Sequence, residues 1–235
     1  MRIVRFLAVL TFAVPLFAQS AAPKAAPQAA PAAKEAPKEV TTLTPDQLWS
    51  AMQQGDRFYV SGKVDYPNLV QERAAVRAHQ NPPVTILACS DSRVPPELVF
   101  NQSLGALFVI RTAGSVADEF GIASIEFAIV QGYTKLIVVL GHEDCGAVIA
   151  SLGVVDPGTP SLAALARRIR SSFAGIAYNS TDPENVRKAV EANTRASAAQ
   201  LTAASAIIRQ AVTTGKVKIV TAVYDMDTGE VKPLE

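Results

Sequence analysis

The chain has 235 residues, with 22 basic and 21 acidic side chains, 6% aromatic residues, two cysteines and two histidines. A near-neutral balance with few aromatics and no basic stripe argues against nucleic acid as a partner, and after residue 40 no run is long and apolar enough to span a bilayer. Roughly 190 residues remain beyond that point, enough for one domain with a sizeable core.

Residues 1–18, "MRIVRFLAVLTFAVPLFA", carry two arginines, then an apolar stretch, then small residues. That order is the pattern of a cleaved secretory leader, with cleavage expected between residues 18 and 22, and it predicts a periplasmic or secreted protein. Residues 19–43 follow as an alanine- and proline-rich tether, because proline withholds backbone donors and alanine offers little surface to bury. A folded domain is expected over residues 44–235. It starts at "TPDQLWSAMQQG", where Thr44 can cap a helix holding Pro45 and Asp46 in its first turn.

Downstream the chain alternates between two periods. "VTILA" (84–88), "LFVIR" (107–111), "KLIVVLG" (135–141) and "KVKIVTAVY" (216–224) are short runs rich in β-branched residues, and three of them read as buried on both faces. Helical patterns separate them. "FGIASIEFAIVQG" places Ile122, Ile125, Phe127 and Ile129 near one broad stripe, and "GAVIASL" follows the third strand directly. A long alanine-rich stretch from Pro183 reads as one helix or two, with Gly215 as its stop. The expected fold is α/β: a mainly parallel central sheet flanked by α-helices, with an N-terminal helical arm. Such sheets bind ligands at the carboxyl ends of their strands.

Chemistry-bearing residues collect at two of those ends. "LACSDSRV" follows the first strand with Cys89, Asp91 and Arg93 at two-residue spacing, one face of the chain if the strand pattern continues. "VVLGHEDCGAV" ends the third strand with His142 and Cys145 three apart on the turn into a helix, whose dipole favours a thiolate at Cys145. Two readings stay open on these residues. Two cysteines in an oxidising compartment suit a disulfide. Two thiolates with an imidazole suit Zn²⁺, with Asp91 as a fourth ligand or a neighbour.

"CSDSRV" with "GHEDCGAV" resembles the β-class carbonic anhydrases, whose motifs are Cys-x-Asp-x-Arg and His-x-x-Cys. The likeness runs over roughly residues 45–230 and takes in "FAIVQG", "RTAGSV" and "AVYDMDTGEV". The resemblance implies one zinc per chain on Cys89, His142 and Cys145, with Asp91 and Arg93 as the catalytic dyad beside it. It implies reversible hydration of CO2 to bicarbonate through zinc-bound hydroxide, in a homodimer or homotetramer. The family has a form in which aspartate ligates zinc and a tryptophan precedes the first motif. Here Ile86, Leu87 and Ala88 precede Cys89 and Trp49 is the sole tryptophan, so the expectation is the open form, with Asp91 on Arg93 and water on the metal. Gln80 matches a family glutamine that binds bicarbonate. Phe108 matches an aromatic lining the CO2 pocket, and Phe127 stands where many members have tyrosine, losing a hydroxyl. His79, the other histidine, sits in the surface pattern "LVQERAAVRAHQ" and makes a weak proton shuttle. Two alternatives share these residues: a zinc hydrolase acting on another small molecule such as carbon disulfide, and a non-catalytic secreted zinc or disulfide module.

Overall fold

Thr44 accepts from the Gln47 backbone N–H while the Gln47 side chain accepts from the Thr44 N–H, a reciprocal cap that starts α1 (Pro45–Val60). The computed structural model describes residues 42–66, 68–153 and 158–235. The expected leader and the tether up to residue 41 lie outside the described residues. After α1 come α2 (Leu69–Ala75), β1 (Val84–Ala88), the single turn α3 (Pro96–Val99) and β2 (Leu107–Arg111). A tight turn at Ala113–Ser115 leads to α4 (Glu119–Val130), then β3 (Leu136–His142) and α5 (Gly146–Leu152). The chain continues through α6 (Pro160–Arg170), α7 (Pro183–Ala204), α8 (Ala206–Thr213), β4 (Lys218–Tyr224) and β5 (Val231–Pro233).

The strands form one sheet in the order β2-β1-β3-β4-β5, with the first four parallel and β5 antiparallel on β4. Alternation along β1 and β3 sends two apolar sets in opposite directions. Val84, Ile86, Ala88, Leu136, Val138 and Leu140 pack with Leu48 and Met52 of α1 and with Val99 and Phe100. Leu87, Ile137 and Val139 pack with Ile125 of α4 and with Leu201 and Ile208 of α7 and α8. The expected α/β architecture is the observed one: helices cover both faces of a mainly parallel sheet, and α1 and α2 form the N-terminal helical arm.

Several expectations are corrected. Only β1 and β3 are buried throughout; β2 is half-buried because it is the sheet's edge. On α4 the inward residues are Gly121, Ile125 and Ala128, whereas Phe127 is 48% exposed, since it lies about 200° around the helix from Ile125. Within the surface pattern "LVQERAAVRAHQ" the helix ends at Ala75, before His79. The long alanine-rich stretch is two helices. Ser205 leaves helical geometry between them and its hydroxyl accepts from the Ile208 N–H to cap the second. Strand β5 carried no signal in the sequence, being three residues long.

The sheet's order reverses between β1 and β3, because the chain moves from β1 out to β2 and then returns to the other side of β1. The carboxyl ends of those two strands therefore open onto one crevice. Helix α7 crosses close to it at Gly141, where an added Cβ would lie 2.2 Å from Thr194 Oγ1. Gly141→Ala is expected to destabilise the domain by about 1–3 kcal/mol through overpacking. Adding Thr194→Ala removes the clashing oxygen and recovers most of that loss in urea unfolding; equal loss in single and double variants would refute the contact.

The turn joining β4 to β5 has an acid signature. Lys232 Nζ lies 2.5 Å from Asp225 Oδ2, and the Thr228 and Asp227 N–H groups donate to Oδ1, holding the carboxyl down to about 2. A depressed carboxylate contributes stability above its unfolded value of about 3.9, and that contribution disappears as pH falls toward 2. In acid unfolding monitored by circular dichroism, Asp225→Asn is expected to lower stability at neutral pH and to flatten the dependence between pH 4 and 2; an unchanged slope would show that the turn does not sense acid.

Candidate metal centre

Cys89 leaves β1, His142 is the last residue of β3, and Cys145 caps α5. All three are buried, at 6%, 1% and 3% exposure. One ligand atom from each lies within 4.8 Å of the others. The two sulfurs are 4.0 Å apart, far beyond the 2.05 Å of a disulfide, and both thiols are free. Two sulfurs bound tetrahedrally to one zinc at about 2.3 Å stand about 3.8 Å from each other, so the pair has metal spacing.

The imidazole is set for the same purpose. His142 Nδ1 lies 2.7 Å from the Glu143 carbonyl, an acceptor, so the proton belongs on Nδ1 and Nε2 is left with a lone pair. Buried Nε2 has no hydrogen-bond partner. A lone pair left bare in the interior is costly unless a cation takes it. The three donors fit zinc on this ground as well as by residue type.

The two thiols are unequal. The Cys145 S–H donates to Cys89 and lowers the Cys89 pKa well below the ordinary thiol range against the opposing effect of burial, with His142 and the Gly114 N–H (3.3 Å) adding to it. The same hydrogen bond and burial push Cys145 up. Helix α5 does lower Cys145 through the Ala147 and Val148 N–H groups, but less than its neighbour raises it. Burial lowers the His142 pKa, while the neighbouring Cys89, the Glu143 carbonyl and the charge of Asp91 together raise it, so the net direction is upward.

Asp91 and Arg93 stand beside the cluster, but not by strand alternation, because β1 stops at Ala88. A turn closed by the Val94 N–H on the Asp91 carbonyl folds Arg93 back. Its backbone N–H and Nε donate to Asp91 Oδ1, each at 2.9 Å, and Nη2 donates to Oδ2 at 2.8 Å. This two-pronged grip holds the Asp91 carboxyl well below the usual carboxylate range, against a smaller effect of burial. Asp91 Oδ2 is 3.9 Å from His142 Nε2, next to the ligand atoms rather than among them.

Arg111 was not singled out as a site residue, yet it braces this loop. Its Nε donates to the Cys89 carbonyl at 2.8 Å, and Nη2 donates to the carbonyls of Asp91 and, at 3.4 Å, Val94. An arginine ending a strand whose register neighbour is Ala88 was the available signal.

The remaining site residues lie elsewhere in this chain. Phe108 on β2 stacks on Phe127 with ring centroids 6.5 Å apart, and Phe127 meets Tyr133 edge-on at 6.4 Å. Gln80 is exposed on the connection entering the amino end of β1, whereas Cys89 leaves the carboxyl end.

Comparison with known proteins agrees with this geometry. The family model described as carbonic anhydrase matches residues 84–231. The chain is 34% identical over 187 residues to carbonic anhydrase 2 of Mycobacterium tuberculosis, covering 79% of this chain and 90% of that one. It is 33% identical over 183 residues to a carbonic anhydrase of Pseudomonas aeruginosa, covering 72% and 81%. Among solved structures, the Coccomyxa β-carbonic anhydrase superposes with a TM-score of 0.62 at 26% identity, over 83% of this chain and 87% of that one. A tetrameric β-carbonic anhydrase of Sordaria macrospora shares the fold, with a TM-score of 0.63 at 20% identity over 80% and 97%. With both motifs complete and their side chains gathered at one crevice, the chain belongs to the β-class carbonic anhydrases.

Proposed function

We propose that this protein hydrates CO2 reversibly to bicarbonate and a proton, with one Zn²⁺ held by Cys89, His142 and Cys145. The observation that carries the reading is the buried convergence of these three ligand atoms within 4.8 Å, with His142 Nε2 left unpartnered. Zinc, when bound, supplies the chemistry by lowering the pKa of a coordinated water from 15.7 toward about 7, giving a nucleophile for CO2 at neutral pH.

The chain's own residues then have distinct tasks. Asp91 accepts a hydrogen bond from the attacking water and turns its lone pair toward CO2; its place beside the ligand atoms supports this. Arg93 keeps Asp91 ionised and fixes its rotamer through both carboxylate oxygens. The Glu143 carbonyl holds the His142 tautomer. Phe108 and Phe127 are assigned to an apolar approach for CO2 and Gln80 to bicarbonate, all three on the family likeness alone.

A homodimer or homotetramer fits the outer face of β2 and α4. The sheet leaves β2 as an edge, and Phe120, Phe127 and Val130 on α4 are 79%, 48% and 66% exposed. Among the described residues no helix is long and apolar enough to cross a membrane. The leader pattern over residues 1–18 supports export to the periplasm or beyond.

Stopped-flow CO2 hydration near pH 8, with zinc measured on the same sample, tests the activity directly. The expected result is fast hydration with one zinc per chain, loss of both on chelation with two titratable thiols appearing, and recovery on adding Zn²⁺ back. Full zinc occupancy without hydration would overturn the assigned reaction. Asp91→Asn is expected to keep its zinc and its melting profile while turnover falls by about a hundredfold or more. Undiminished turnover in that variant would remove Asp91 from the mechanism.

A further inference from the structure

The buried face of helix α7 is interrupted by polar residues. Asn193, Thr194 and Ser197 are 5%, 1% and 2% exposed in the middle of it. Thr194 turns its hydroxyl back onto the Val190 carbonyl of its own helix. Asn193 instead reaches out of the helix, and its Nδ2 donates to the Gly114 carbonyl at 2.7 Å, across 79 residues of sequence.

Gly114 is an unusual recipient. It has φ +70° and is followed by Ser115 at φ +53°, two successive left-handed residues in a buried turn. Such a corner costs energy for any residue with a Cβ and persists only where its surroundings hold it. A Cβ on Gly114 would come within 2.9 Å of Ile169 Cδ1. Ser115 is tied to β3 by its hydroxyl, which donates to the Leu140 carbonyl at 2.8 Å. Asn193 grips the other residue of the corner. The product of this geometry is the Gly114 N–H, which donates to Cys89 Sγ at 3.3 Å.

We propose that Asn193 is a positioning residue for the metal centre: by holding the Gly114 carbonyl, it keeps the left-handed corner that aims the Gly114 N–H at the Cys89 sulfur. The proposal rests on the zinc reading above. An N–H on a thiolate draws charge away from sulfur, so less is donated to the metal and the metal remains a stronger Lewis acid. Asn193 touches neither ligand nor substrate and acts through one peptide group.

The test uses Co²⁺ as a spectroscopic substitute in the full chain, with Asn193→Leu and the near-isosteric Asn193→Asp. Asn185→Leu is the control. Asn185 is also buried on α7 and also donates to backbone carbonyls, those of Ala177 and Asn179. Loss of the N–H···S bond raises the sulfur lone pairs, so both Asn193 variants are expected to move the sulfur-to-cobalt charge-transfer band to longer wavelength. They should also weaken zinc binding by about tenfold or more in chelator competition. Asn185→Leu should lower the melting temperature and leave band and affinity in place. An unmoved band in Asn193 variants that bind one Co²⁺ would overturn this proposal alone, whereas failure of the unsubstituted chain to take up Co²⁺ would overturn the zinc reading with it. Should neither variant fold, the native chain loaded with ¹¹³Cd²⁺ still decides: coupling between the metal and the Gly114 amide proton is expected, and its absence overturns the proposal.

Discussion

Two sulfurs and an imidazole held within 4.8 Å of one another, all nearly excluded from water, set the terms for the surrounding structure. Thiolates are poorly tolerated in an interior, and a bare imidazole nitrogen there is equally out of place. Each must be compensated by a donor or a cation aimed at it. Cys145 donates to Cys89, the Gly114 N–H donates to the same sulfur, and His142 keeps its Nδ1 proton on the Glu143 carbonyl. What remains unsatisfied is the lone pair on Nε2. The site is thus shaped so that one cation relieves charge on sulfur and the unpaired nitrogen together.

The fold's contribution is placement. A parallel sheet whose order reverses between β1 and β3 opens the ends of those strands onto a shared crevice, and the two motifs sit there. Arg111, at the end of the neighbouring edge strand, ties down the backbone of the first motif by its carbonyl oxygens, leaving its side chains free for chemistry. Helix α7 closes against β3 so tightly that only glycine fits at position 141. Rigidity at these points matters because a metal site loses affinity when its ligands must be gathered each time.

Much of this was legible in the chain. The four parallel strands fall on the four β-branched runs, and the reciprocal cap at Thr44 is where its residue types put it. Both patterns are local: alternation, helix period and capping depend on neighbours a few residues apart. The edge position of β2 and the outward turn of Phe127 were not legible, since apolar residues destined for a half-open face look like core residues in sequence. Nor was the strand β5, whose pairing depends on β4 lying beside it.

By itself the sequence determined the alternating α/β plan, the two motifs at strand ends and the residue types able to bind zinc, because each of these is written in short-range order. Only the tertiary structure decided that the cysteines stand apart as metal ligands do, and that Arg111 and Asn193 hold the loops around them. These outcomes depend on distances and burial among segments 22 to 79 residues apart in the chain. Electrostatic preference in an interior follows from which groups meet there, and sequence spacing does not specify that meeting.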